Sequence, residues 1–166
     1  MRIEKCGHFV DEREVHRYIL ENKNGVRAVF TDLGAVWLSF LFPDRSGKLV
    51  DVLLSVENWE DLMENPGHMG EVVGRNANRI NGGHFQLHGK DYHLFLNDKQ
   101  HSNCHSGPEY FGRRLFQAKQ KGENSICFSL FSKDMDQGFP GNMDFSVTYE
   151  LTEDNALHIR YKGNSD

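Results

Sequence analysis

The sequence predicts an all-β domain, and three observations carry that prediction. Short extended runs recur along the 166 residues. Turn clusters separate them at the spacing of a sandwich or barrel. The 12 phenylalanines are many for this length, and aromatic side chains suit a pleated, half-buried surface. Residues 15–21 lead into Asn22-Lys23-Asn24-Gly25, a hairpin-type turn, and residues 26–31 follow it. Residues 34–42 are apolar and stop at Pro43-Asp44-Arg45-Ser46-Gly47, after which residues 49–56 resume an apolar pattern. Residues 58–67 read as a short helix or irregular loop closed by Asn65-Pro66-Gly67. Residues 85–87 and 92–96 flank His88-Gly89-Lys90-Asp91 as a second hairpin, and residues 125–132, 143–151 and 156–161 read as three more strands. No internal repeat, low-complexity stretch or composition shift marks a linker, so residues 1–166 are read as one domain.

Composition narrows the function classes. Net charge is −5 and the pI is about 6.0. The longest basic cluster is Arg113-Arg114, which argues against nucleic acid and anionic membranes as partners. Cys6, Cys104 and Cys127 are an odd number without C-x-x-C spacing, so neither a disulfide framework nor a zinc knuckle is expected. The polar first 14 residues lack the apolar core of a secretory signal, and no run approaches the roughly 18 apolar residues of a membrane span. A soluble cytoplasmic protein is the expectation.

Two polar segments could carry chemistry. Gly74-Arg75-Asn76-Ala77-Asn78-Arg79-Ile80-Asn81-Gly82-Gly83 places two arginines and three amides among glycines. Such side chains offer fixed donors and acceptors to several hydroxyls at once, as sugar recognition requires. On composition alone, the better fit is a polar loop that satisfies its own backbone. In Ser102-Asn103-Cys104-His105-Ser106-Gly107-Pro108, the histidine could face a cleft and exchange a proton near neutrality, or simply face solvent. Five of the nine histidines fall between His84 and His105, which raises a metal site. His84 and His88 are about 13 Å apart along a straight strand and cannot share a zinc. His101 and His105 could converge only if their loop coiled, and no further ligand falls at a recognisable spacing. Cys104 is adjacent to His105, so extended backbone would point the two side chains to opposite faces and leave them badly placed as a nucleophilic couple. Cys104 is read as a buried small residue orienting the loop, and Gly138-Phe139-Pro140-Gly141-Asn142 as a structural turn.

Taken together and in order, these segments resemble the aldose 1-epimerase family. Residues 74–80 and 83–92 resemble its G-R-x-A-N-R-I followed by G-x-F-x-L-x-G-x-x-Y. Residues 103–107 resemble N-x-L-H-G-G, and Phe111-Gly112-Arg113-Arg114-Leu115-Phe116 the following G-F-x-x-R-x-W. Residues 137–152 resemble G-[FY]-P-G-N…V-x-Y-x-L-T. The resemblance implies a galactose mutarotase-like β-sandwich (supersandwich) and a hexose substrate. It also implies cofactor-free opening and reclosure of the sugar ring to interconvert α and β anomers. It assigns sugar contacts to Asn78, Arg79 and His105, with His105 also polarising the pyranose. Cys104 stands where the pattern has leucine and Ser106 where it has glycine, a position whose backbone angle serine resists.

The resemblance further implies a second histidine as general acid and a glutamate as general base, neither of which has a match among these residues. The expectation is therefore an N-terminal portion of such a domain, truncated on its C-terminal side. By itself it would hold sugar contacts and little catalysis, with self-association or a complementing C-terminal half as a partner. Two other classes compete: a lectin-like sandwich that binds carbohydrate without catalysis, and a cupin-like metal enzyme using His101 and His105.

Overall fold

A computed structural model describes residues 1–56 and 58–166. The chain opens with β1 (Arg2–His8), β2 (Glu14–Glu21), β3 (Arg27–Thr31), β4 (Trp37–Pro43) and β5 (Leu49–Asp51). The helix α1 (Trp59–Glu64) follows, then β6 (Arg79–Asn81), β7 (His84–Leu87), β8 (Lys90–His93) and β9 (Ser102–Cys104). After a 3-10 turn at Phe111–Arg113 come β10 (Gln117–Gly122), β11 (Ser125–Ser132), β12 (Met143–Leu151) and β13 (Leu157–Ser165). β1 to β5 form one antiparallel meander and β10 to β13 another, each in strict sequence order. β6 pairs with β9 and β7 with β8 as separate two-stranded ribbons.

Period-2 alternation decides what each strand buries. In β3, Ala28 and Phe30 enter one apolar cluster while Val29, between them, joins a second. The first cluster lies between the sheets, where Tyr18, Leu20, Ala28 and Phe30 meet Ile126, Phe128, Val147, Tyr149 and Leu151. Phe30 and Tyr149 stack across this interface with ring centroids 4.2 Å apart. The Tyr149 hydroxyl donates to the Ala35 carbonyl at 3.0 Å, which satisfies its one polar atom. Burying a Phe30 or a Phe128 contributes about 1.5–3 kcal/mol each. An exposed pair such as Lys5–Glu14 is screened by water and adds little, so the aromatic layer sets the fold. The second cluster, Val15, Leu33, Val36, Leu38 and Leu62, lies on the other face of the first sheet under Trp59 and Met63 of α1. That helix starts because the Asn58 side chain accepts the Asp61 N–H at 2.8 Å.

The connection between the sheets is pinned to the first sheet by backbone bonds. The Trp37 N–H donates to the Gly70 carbonyl (2.8 Å) and Val72 N–H to Gly34 (3.0 Å), while Phe111 N–H to Gly74 (3.2 Å) ties the connection to itself. Gly70 has φ +68°, and a Cβ there would run into the Trp37 carbonyl, so glycine is required for this approach.

The expected strands at residues 15–21, 26–31, 125–132 and 143–151 match β2, β3, β11 and β12. The run at 34–42 becomes strand only from Trp37, because Gly34 (φ +63°) and Ala35 (φ +48°) form a tight turn. The ladder expected over 49–56 ends at Asp51, and Val52 and Leu54 are 59% and 80% exposed. The last strand, expected over 156–161, continues to Ser165. β1, β6, β9 and β10 were not anticipated.

Candidate functional site

β6 and β9 pair antiparallel with Arg79 opposite Cys104, Ile80 opposite Asn103 and Asn81 opposite Ser102. The two polar segments, some 25 residues apart in sequence, are therefore neighbouring strands of one ribbon. The chain turns sharply at both ends of this pairing. Asn78 takes φ +62°, His105 +53° and Ser106 +71°, all left-handed. Strand alternation thus stops at Cys104, and both Cys104 and His105 line one concavity of about 170 Å³ with His68, Asn97, Asp98 and Tyr110. The expected opposition of Cys104 and His105 does not arise, because the left-handed residue resets the direction.

His105 is fixed by the backbone of Asn78. Its N–H donates to the Asn78 carbonyl (3.0 Å), and its Nδ1 accepts the Asn78 N–H (3.1 Å). An accepting Nδ1 leaves the proton of the neutral ring on Nε2, which becomes a donor. Burial, followed by the nearby His68, lowers the His105 pKa; Glu71 opposes this and Arg79 adds to it. The ring is thus held toward its neutral form. Arg79 donates from Nε to Asp98 (2.5 Å) and from Nη1 to the Asn78 side-chain oxygen (3.0 Å). The hydrogen bond from Arg79 holds the Asp98 carboxyl below the ordinary range. Asn78 and Arg79 are exposed, so Asn78, Arg79 and His105 form one contiguous polar surface. Asn97 braces it, pairing both ends of its amide with the Cys104 backbone at 2.7 and 2.8 Å.

The other arginine of the motif does something different. Arg75 donates to the Ser132 hydroxyl (2.8 Å) and to the carbonyls of Ser132 (2.9 Å), Lys133 (2.7 Å), Phe139 (3.4 Å), Pro140 (2.9 Å) and Gly141 (2.8 Å). It ties the site loop to the Gly138–Gly141 turn, in keeping with the structural reading of that turn. Ser106, which is 1% exposed, takes the place of the family's glycine. Its hydroxyl accepts the Asn76 N–H (2.6 Å) and donates to the Asn76 carbonyl (3.0 Å). Serine at a left-handed position costs about 1–2 kcal/mol. Its two bonds to the Asn76 backbone recover a similar amount.

Sequence reasoning missed His68, Glu71 and Tyr110. His68 Nδ1 lies 2.5 Å from Glu71 Oε1 and 3.0 Å from the Tyr110 hydroxyl. Its ring meets that of His105 edge-on, with centroids 4.6 Å apart. Burial and then Glu71 push Tyr110 up to about 12, so it remains a neutral donor. One available signal was Tyr110 itself, which occupies the glycine position of the G-F-x-x-R-x-W pattern. His101, the partner expected of a metal site, is exposed in a turn at Asp98–His101. Among the described residues, no group of three or more His, Cys, Asp or Glu side chains could hold a metal ion. No helix among them is long and apolar enough to cross a membrane. A larger hollow, about 520 Å³, lies beside Arg114 and Asp136. These two charges satisfy each other at 2.6 and 2.7 Å, so the chemistry favours the smaller concavity.

The chain is similar to known proteins of one family. The aldose 1-epimerase family model matches residues 16–166. Aldose 1-epimerase of Haemophilus influenzae is 45% identical over 89% of this chain and 42% of its own length. Aldose 1-epimerase of Escherichia coli is 34% identical over 89% and 42%. Human galactose mutarotase is 35% identical over 72% and 34%. The chain thus spans less than half the length of these relatives. A crystal structure of an aldose epimerase homologue from C. elegans superposes with a TM-score of 0.85 at 29% identity, over 90% of this chain and 46% of that one. Galactose 1-epimerase from Lactobacillus acidophilus, at 24% identity, shares the fold with a TM-score of 0.87 over 99% and 48%. The all-β, galactose mutarotase-like sandwich expected from sequence is the fold observed, and by the match over residues 16–166 the chain belongs to the aldose 1-epimerase family.

Proposed function

We propose that this chain binds a hexose through Asn78, Arg79 and His105, and that the bound sugar undergoes cofactor-free interconversion of its α and β anomers. The observation that carries the reading is the Arg79–Cys104 pairing, which sets Arg79, hydrogen-bonded to Asp98 of the concavity's wall, beside the fixed His105 that lines it. Ring opening of a cyclic hemiacetal needs a proton removed from the anomeric hydroxyl and one supplied to the ring oxygen. A neutral His105 with Nε2–H outward donates a hydrogen bond to a pyranose oxygen and polarises it, while Arg79 and Asn78 hold hydroxyls. Each full proton transfer contributes on the order of 10²–10⁴ in rate. In this reading the 166 residues supply contacts and polarisation. The acid and base that the family resemblance calls for come from outside them, on a complementing segment. The same reading takes the protein as soluble and cytoplasmic.

Polarimetry of freshly dissolved galactose or glucose tests the catalytic half, and sugar titration with Arg79→Ala and His105→Ala tests the binding half. Little mutarotation with binding lost in both variants is the expected result. Binding that neither variant weakens would refute the site. Binding that no complementing segment converts to mutarotation would instead make the protein a lectin-like module.

A further inference from the structure

Behind His105 three side chains with no role in the proposed sugar contacts converge, His68 and Glu71 from one loop and Tyr110 from a segment some 40 residues later. Glu71 is buried, its side chain 2% exposed. Its Oε2 accepts from the Tyr110 hydroxyl and from the Asn65 amide, both at 3.3 Å. Its Oε1 lies 2.5 Å from His68 Nδ1. Two lone pairs cannot approach so closely, so a proton lies between them, and Nδ1 is the donor nitrogen of His68. A carboxylate with partners on three sides cannot swing away, and it fixes both ring orientation and tautomer. The far nitrogen, Nε2, is then left as a hydrogen-bond acceptor in the neutral ring. The His68 side chain is 35% exposed and lines the same concavity as His105.

The two rings therefore carry opposite proton arrangements side by side. Asn78 makes His105 a donor through Nε2, and Glu71 makes His68 an acceptor through Nε2. A sugar hydroxyl both donates and accepts, so a donor next to an acceptor suits adjacent oxygens of a polyol. We propose that His68 is a further sugar-contacting residue of this site. Its Nε2 accepts a hydrogen bond from a pyranose hydroxyl, and Glu71, steadied by Tyr110 and Asn65, acts as its positioning residue. This inference rests on the hexose-binding reading above.

Side-chain ¹⁵N spectra of the whole chain, recorded with and without D-galactose and D-glucose, read the tautomers directly. The expected free state has His68 protonated at Nδ1 and His105 at Nε2, and adding sugar moves the His68 Nε2 resonance. His68→Phe should weaken affinity about three- to tenfold, as loss of one hydrogen bond does, and Glu71→Gln should weaken it by a smaller factor with an unchanged amide spectrum. If His68→Phe fails to fold, the sugar-induced shift in the wild type decides alone. The inference is overturned if free His68 carries its proton on Nε2. It is also overturned if sugar binds and Arg79→Ala abolishes binding while the His68 resonance stays still and His68→Phe binds normally. The cluster would then be a structural knot, with the hexose reading intact. If wild-type chain binds neither sugar, the hexose reading falls first.

Discussion

Arg75 and Arg79 sit four residues apart in one motif, yet their removal should have opposite consequences. Arg75→Ala deletes donors to five carbonyls and the Ser132 hydroxyl. Hydrogen bonds from a charged donor contribute about 1.5–3 kcal/mol each, but six on one guanidinium are far from additive. Breaking a partly buried charged network costs about 3–5 kcal/mol. That is a large share of the roughly 5–15 kcal/mol that holds a typical domain folded. At about 2–4 °C per kcal/mol for a chain of this size, the melting temperature should drop by about 6–20 °C. Arg75→Lys should recover little, since one ammonium cannot span carbonyls on both sides of the turn. Arg79→Ala should leave the melting temperature in place and abolish sugar binding, because its side chain is 56% exposed. Thermal unfolding followed by circular dichroism, with galactose titration on the same preparations, measures both. An Arg75→Ala protein as stable as wild type, or an Arg79→Ala protein that unfolds, would refute the division of labour between them.

Ser106→Ala keeps the left-handed strain and loses both bonds to Asn76, so it should destabilise by about 1–3 kcal/mol. Ser106→Gly loses the bonds but relieves the strain, and urea titration should place it between Ala and wild type. Gly70→Ala should cost about 2 kcal/mol or more in the same assay, since it adds left-handed strain to a clash with Trp37, and it should weaken sugar binding by shifting the neighbouring His68. The pH dependence follows from His105. Its folded pKa lies below the ordinary 6.5, so the unfolded chain takes up the proton first. The associated stability is present above pH 6.5 and is lost as pH falls through the lowered folded value. Urea midpoints at pH 7.5 and pH 5 should therefore differ less for His105→Gln than for wild type.

How far the sequence revealed this molecule depended on what each residue buries. β2, β3, β11 and β12 were legible because each buries a row of apolar side chains in the core, as with Ala28 and Phe30 or Ile126 and Phe128. β1 and β10 are mostly exposed strands at the outer edges of their sheets, so no apolar period marks them. Three-residue strands such as β6 and β9 are too short to show a period at all. Residues 52–56 misled in the other direction, since Val52 and Leu54 look like strand interior and face solvent. At the site, Asn78, Arg79 and His105 stood out through ordered motifs, but their pairing is a property of the ladder. His68 follows Asn65-Pro66-Gly67, which reads as nothing more than a turn, and its partner Tyr110 lies 42 residues away. Only the folded chain brings them together.

The strict sequence order of the two meanders has a kinetic consequence. Every pairing in either sheet closes a short loop, so each sheet can nucleate from its own hairpins with little loop-closure entropy to overcome. The concavity is built otherwise: Arg75 reaches Ser132 across 57 residues, and the His68–Tyr110 contact spans 42. Those long-range closures come after the hairpins they join. Refolding should recover strand content before it recovers the microenvironment of His105, with the sugar-facing surface the last region to acquire its native form.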